Sequence, residues 1–513
     1  MKNRQIINII NFIRGCEPRE PVDLVRPVRE QIKLMTELEL SGTFLIQYDA
    51  LLMPEFVTLF IDLDPEQFEL GVWFEVVQPL TEAAGIPWTG RFPWDWHVHC
   101  GFSVGYTKPQ RELLVDLLYE KFKATFGYYP RVFGSWFFDS HTARHVSDKY
   151  GADAFCNCKE QYGTDGYTLW GGYYGQGYYP SRKNVFFPAQ GPEDRIDTPL
   201  FRMLGSDPVY QYDFGLDTNS GADKIQQVIT LEPAYTSSGG GCDKWVDWFM
   251  RENFNGECLS FGYAQAGQEN SFSWPRMEHG LTYQFPIFAR LAREGKLTVE
   301  PIGRTGRRFK ETYKDTPASV ISAHTAWDNE NRGSLWYNSR NYRINLYRDN
   351  STLRIRDLHI FGNGLADPFE DTVCLSNEAA YYTLPVTDGN IHSGNGVLAG
   401  VYFLDGETGE DIPVSDFVFS ETPTGTARAD FGKLCFTLCE DRILIDSTRP
   451  FRLSCLFGKT DNHMPSLLSA TPTELRLSYL GTAYGLELKK GRFTSPTELV
   501  SQDNGIEIAI KTK

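Results

Sequence analysis

Seven carboxylates among the first 270 residues of the 513-residue chain share one position: each follows a short apolar run with the look of a β-strand. They are Glu17 in RGCEPRE, Asp49 in LIQYDALL, Glu75 in GVWFEVVQP, Asp139 in GSWFFDSH, Asp207 in MLGSDPVYQYD, Glu232 in ITLEPAY and Glu269 in YAQAGQENSFSW. A single acid of this kind is ordinarily solvated or caps a helix. Taken together they predict a polar rim, and several sit beside Trp or Tyr. Paired carboxylates with aromatic walls suit cleavage of a glycosidic bond: one is held protonated to assist the leaving group, while the other stays ionised to attack the sugar or activate water. Trp and Tyr faces pack on sugar rings, and amides such as Gln265, Gln268 and Asn270 both donate to and accept from hydroxyls.

Such a rim needs strands that all point one way. Strand-like runs occur at residues 6–13, 43–48, 68–74, 132–138, 152–156, 200–204, 229–231 and 259–264. Helical patterns separate several of them, at 21–40 (Leu24, Val28 and Ile32 at four-residue spacing) and at 109–126 before Gly127. Alternation of this kind predicts parallel strands covered by helices, and the number of repeats favours a closed or nearly closed barrel. Ligands then meet the carboxyl ends of the strands. After the polar stretch 303–319 the pattern changes to short β-branched runs divided by Gly, Asn and Asp, the signature of a β-sandwich. All eleven tryptophans lie between Trp73 and Trp336, so the last 177 residues are built differently.

Composition narrows the function classes. A net charge of −16 disfavours a polyanionic partner, so no nucleic acid is expected. No apolar run approaches the roughly 18 residues of a membrane span. The opening MKNRQIINIINFIRGC is interrupted by Asn8, Asn11 and Arg14, which disfavours a secretory leader and predicts a cytoplasmic protein. The ten cysteines show no paired spacing and are expected to be reduced and mostly buried. His97 and His99 offer two metal ligands at most, so no metal and no cofactor is expected, and a role in hydrogen-bonding substrate is favoured. No GxGxxG follows a strand, which argues against dinucleotide chemistry.

Three segments carry a resemblance. SGTFLIQYD at 41–49 is similar to the second-strand segment of polysaccharide deacetylases. FELGVWFEVVQPL at 68–80 resembles their third-strand motif, keeping Glu69, Gly71 and Leu80, and FGYYPRVFG at 126–134 resembles the segment before their fourth strand. Over roughly residues 5–315 the chain resembles the glycoside hydrolase/polysaccharide deacetylase superfamily, whose glycoside hydrolase families 38 and 57 carry C-terminal β-rich domains. The resemblance implies an α/β protein, a (β/α)7-type barrel at 1–310 followed by an antiparallel β-sandwich at 311–513. It also departs from the pattern. Trp73 and Val77 stand where deacetylases place a metal-binding histidine pair, NFIRGCEP replaces their first-strand acids, and the zinc pair of family 38 is absent. Family 57 uses a nucleophile after strand four and an acid/base after strand seven, positions that fall here on Asp139 and Glu269 with the residue types exchanged.

The expectation is therefore a retaining glycoside hydrolase acting on an oligo- or polysaccharide. Asp139 and Glu269 would be catalytic; Asp49, Glu75, Trp96, His97, His99, Trp136, Asp207, Gln268 and Trp274 would contact substrate. The competing expectations are a non-catalytic glycan-binding barrel and a metal-dependent sugar deacetylase using His97 and His99.

Overall fold

The computed structural model describes residues 4–213, 229–254, 258–422, 426–459 and 463–512. Parallel strands β1 (Gln5–Ile13), β2 (Gly42–Ile46), β3 (Phe68–Trp73), β4 (Val132–Gly134), β5 (Ala154–Asn157), β6 (Leu200–Arg202) and β7 (Gly262–Ala266) form the first half. Their spatial order is β7-β1-β2-β3-β4-β5-β6. Between β6 and β7 the sheet is joined by side contacts, including Gln176 Nε2 donating to the Phe261 carbonyl at 3.2 Å. The barrel is nearly closed.

Alternation along β1 explains its burial on both faces. Ile6, Ile10 and Phe12 join Leu45, Trp73, Val132, Cys156, Phe201 and Tyr263 in one cluster that fills the barrel. Ile7, Ile9 and Ile13 face the other way, into the layer between strands and helices. Fully burying each such side chain contributes about 1.5–3 kcal/mol, so a parallel strand covered on both faces reads as a continuous apolar run. Gly71 is required in β3 because a Cβ there would stand 2.8 Å from the Val132 carbonyl oxygen of β4.

Three local expectations are corrected. The strand expected at 132–138 stops at Gly134, and the 229–231 run supplies only an isolated bridge from Thr230 to Ser206. The polar stretch beginning at Gly303 lies largely within a helix, Ile302–Thr312. Its buried face holds Ile302, Thr305 and Phe309, while Arg304, Arg307 and Arg308 point outward, which masks the helical period in a composition dominated by charge.

Strand Ser319–Ala323 then opens a nine-stranded sheet, which with an eight-stranded sheet makes the C-terminal antiparallel sandwich. The two halves interlock. Tyr167–Trp170, from the connection after β5, pairs in parallel with Ala379–Tyr382 of the second half. Trp336 is fully buried and stacks on Tyr174 at 3.9 Å, and Trp327 is half-buried nearby against Lys244. All ten cysteines are unpaired, five of them buried. Among the described residues no helix is long and apolar enough to cross a membrane.

Candidate active site

A cleft of about 170 Å³ opens at the carboxyl end of the barrel. Arg14 and Arg19 enter it after β1, Glu75, Trp94, Trp96 and Phe102 after β3, and Trp136 after β4. Cys158, Lys159, Gln161, Asp165 and Tyr167 follow β5, Leu204, Glu232 and Tyr235 follow β6, and Glu269 and Phe272 follow β7. Parallel strands deliver all of these side chains to one rim.

The YAQAGQENSFSW stretch is positioned by its glycine. Gly267 adopts φ 107°, and a Cβ there would stand 2.1 Å from the Ile10 carbonyl oxygen. Only glycine lets the turn after β7 press against β1. Asn270 then clamps the end of β1, accepting from the Arg14 amide at 2.9 Å and donating to the Arg14 carbonyl at 2.9 Å. Gln268, Glu269 and Arg14 are thereby fixed relative to one another.

Arg14 is the centre of the cleft floor. Its guanidinium donates to Glu75 through Nε at 3.1 Å and lies 2.9 Å from Glu269 Oε2 through Nη1. Its plane rests over the Trp94 ring at 4.0 Å. Glu75 also accepts from Trp73 Nε1 at 2.6 Å and Trp94 Nε1 at 3.3 Å, so it is a fully engaged carboxylate. Burial pushes the Glu269 pKa up, against the pull of Arg14 and with a further push from Glu75. Under the cleft, Trp136, Trp73 and Phe12 form an aromatic plug, with Trp136 edge-on to Trp73 at 5.2 Å.

Glu232 stands in a different environment. Its carboxylate accepts from Thr230 Oγ1 at 3.0 Å, and among the described residues no cation lies within ion-pair distance of it. Burial pushes its pKa up to about 7 despite the more distant charge of Lys159 and the nearby Thr230 and Gln268, and Glu269 adds a further push. Gln268 faces it closely enough to favour the charged form, yet neither of its amide atoms makes a well-aligned hydrogen bond. Leu204, beside these residues, holds φ 83°, a strained left-handed conformation for a residue with a branched side chain, of the kind that collects at ligand sites.

Of the residues expected from sequence, Glu75, Trp96, Trp136 and Glu269 line the cleft. Asp139 does not line it. It caps the helix Ser140–Tyr150, accepts from the Thr142 amide at 3.0 Å, and pairs with buried Arg111 at 2.9 Å. Because β4 ends at Gly134, the chain has already left the rim when it reaches Asp139. Asp207 is likewise enclosed, accepting from Val209 and Tyr210 amides at 2.8 Å and from Trp245 Nε1 at 2.9 Å. Asp49 bonds the Ala50 amide at 2.8 Å, and burial raises its pKa to about 6. Trp274 belongs to the core beneath the cleft, and Phe272 takes the lining place instead. His97 lies 3.4 Å from Asp95 and stacks near His99, outside the lining. Among the described residues, the group that gathers three metal-type ligands is Asp357, His359 and Asp388, far along the chain from those histidines.

Arg14, Arg19, Trp94, Lys159 and Tyr235 escaped the sequence reading, which gathered acids and amides at strand ends but not cations. Arg14 was visible in principle, since it follows β1 directly in NFIRGCEP.

No protein-family model matches the chain and no curated protein matches it. Solved structures do match. A Parabacteroides distasonis protein, described only by class as a glycoside hydrolase/deacetylase, superposes with a TM-score of 0.55 at 15% identity, over 75% of this chain and 91% of that one. The GH57-type branching enzyme of Pyrococcus horikoshii aligns with a TM-score of 0.32 at 10% identity, over 62% of this chain and 71% of that one. The first likeness is one of fold; the second is too distant to bear on the site. The chain thus shares its fold with the Parabacteroides distasonis protein.

Proposed function

We propose that the cleft is a carbohydrate-active site that hydrolyses a glycosidic bond, with Glu232 as the acid/base and Glu269 as the ionised partner. The observation that supports this reading is the opposed environment of two carboxyls in one aromatic-walled cleft. Among the described residues Glu232 pairs with no cation, and its pKa is about 7, whereas Glu269 is held 2.9 Å from Arg14. Glu269 pushes the Glu232 pKa up, and two neighbouring carboxyls do not both stay ionised, so the single proton settles on the one without an arginine. A protonated Glu232 can donate to the leaving oxygen, and an ionised Glu269 can attack the sugar carbon, giving a retaining reaction. Glu75, saturated by Arg14, Trp73 and Trp94, orients Arg14. Asp139 takes a structural place in this scheme, as a helix cap paired with Arg111.

The fold likeness to a protein of glycoside hydrolase/deacetylase class is in keeping with a glycan substrate. The test is a panel of aryl glycosides and oligosaccharides. Glu232→Gln should slow substrates with poor leaving groups far more than activated aryl glycosides, which need little protonation. Glu269→Gln should slow both kinds alike, with azide restoring part of the rate on activated substrates. Equal behaviour of wild type and both variants across the panel would overturn the assignment. One observation favours a second reading: Arg14 engages both Glu75 and Glu269, as in a cleft that binds glycan without cleaving it. Saturable binding with no turnover by any variant would select that reading.

A further inference from the structure

Lys159 is a buried cation that the mechanism above does not use. It follows β5, is only 3% exposed, and lines the cleft. Among the described residues its ammonium makes one hydrogen bond, to the Glu160 backbone carbonyl at 2.9 Å. Three N–H donors sit on that nitrogen. Among the described residues no carboxylate lies within ion-pair distance of it.

The adjacent acid is not available to it. The Glu160 carboxylate is taken by Arg343 at 2.7 Å and by the amides of Gly171 and Gly172 at 2.9 and 3.1 Å. Glu232, the other acid nearby, is the group read above as protonated. Arg202 adds positive charge behind Lys159, donating to the Cys158 carbonyl at 2.7 Å. A buried charge without a partner is strongly unfavourable, and the usual remedies are neutralisation or a bound counter-ion. Burial does push the Lys159 pKa down, and an arriving anion would reverse that push.

We propose that Lys159 is a specificity-determining residue that receives an anionic substituent of the sugar, a carboxylate as in a uronic acid or a sulfate ester. This inference rests on the reading of the cleft as a sugar site. The half-buried aromatic walls Trp96 and Trp136 take the apolar face of the ring, and the two unused N–H donors of Lys159 take the charged group. The neutral glycoside lacking that group leaves the buried ammonium unpaired. Discrimination against it is therefore larger than that of a surface lysine, whose charge water would solvate.

Binding, read without turnover, tests this. Tryptophan fluorescence of the full chain is titrated with an aryl glucuronide, the matching aryl glucoside and the aryl glucoside 6-sulfate. The expected result is at least tenfold tighter binding of one or both anionic sugars than of the glucoside, with the two anionic arms separating carboxylate from sulfate. Lys159→Met should erase the preference, and Lys159→Arg should retain part of it, each checked for an unchanged far-ultraviolet spectrum. Equal wild-type affinity for anionic and neutral sugars overturns the inference while leaving the sugar cleft standing, and so does a preference that survives in Lys159→Met. Should Lys159→Met fail to fold, the wild-type comparison and Lys159→Arg still decide. Binding of none of the three sugars overturns the carbohydrate reading itself and the inference with it.

Discussion

Two of the buried charge clusters among the described residues are finished to different degrees. At the junction with the sandwich, Arg343 donates to Asp357 at 2.8 Å and pairs with Glu160 at 2.7 Å. His359 bonds Thr383 Oγ1 at 2.9 Å and Asp388 at 2.8 Å, and Asp388 also accepts from Trp170 Nε1 at 2.7 Å. Tyr212 closes the ring by donating to both Asp357 and Asp388. Hydrogen bonding and charge from His359 outweigh burial and hold the Asp388 carboxyl far below its usual range. In the cleft, by contrast, Lys159 and Glu232 have no ion-pair partner among the described residues, and Glu269 Oε2 has an ion pair but no well-aligned hydrogen bond. A buried polar network that is fully satisfied rigidifies a fold. One left open is poised for a ligand or a proton transfer, because perturbed ionisation collects where chemistry is done.

The largest expected effect breaks the open cluster. Glu269→Gln and Glu232→Gln should each lower kcat/KM on a poor-leaving-group substrate by about 10²–10⁴-fold, with thermal stability close to wild type, since Gln keeps the volume of each carboxyl and Arg14 keeps Glu75 as a partner. Steady-state kinetics and thermal melts on the same samples check this; a rate loss matched by a large fall in stability would mean the cluster is structural.

The closed cluster should answer in the opposite currency. Arg343→Met leaves Asp357 and Glu160 without their cation and should cost about 3–5 kcal/mol of stability, the usual range for removing one partner of a buried pair. Denaturant unfolding measures it. Asp139→Asn should behave alike, because it strands buried Arg111, and where the protein is folded its kcat should stay within about threefold of wild type. A rate loss like that of Glu269→Gln, in a stable protein, would return Asp139 to the catalytic pair.

A smaller effect sharpens the assignment of the proton. Glu232 is raised from 4.5 to about 7 in the folded protein. Between those values the folded state binds a proton that the unfolded state has released, so the contribution of this group is full below about 4.5 and is lost as pH rises through about 7. Stability and activity on poor leaving groups should therefore both decline as pH rises through that upper value, the activity because the acid form is lost. Glu232→Gln should flatten the stability term in that window. An activity profile whose basic limb is unchanged in the variant would place the acid elsewhere.

Much of this molecule was determined by local pattern. Ile6, Ile10 and Phe12 alternating with Ile7, Ile9 and Ile13 specify a strand buried on both faces, and such strands separated by helical periods specify a parallel barrel. Parallel strands place their carboxyl ends on one rim, which is why Glu75 and Glu269 were legible as cleft residues from position alone. The turn to short β-branched runs after Ser319 likewise specified the sandwich. What the pattern could not settle is where a strand stops and which charge meets which. The strand pattern 132–138 is equally apolar on both sides of Gly134, and packing ends β4 there, turning Asp139 from the rim into a helix cap beside Arg111. Arg14 meets Glu75 and Glu269 because closure of the barrel brings β1, β3 and β7 to one floor. Arg343, from the sandwich, holds Glu160, the acid next to Lys159 in the chain. Those pairings join residues separated by up to hundreds of positions, and electrostatic energy depends on their distance in space, which only the tertiary structure decides.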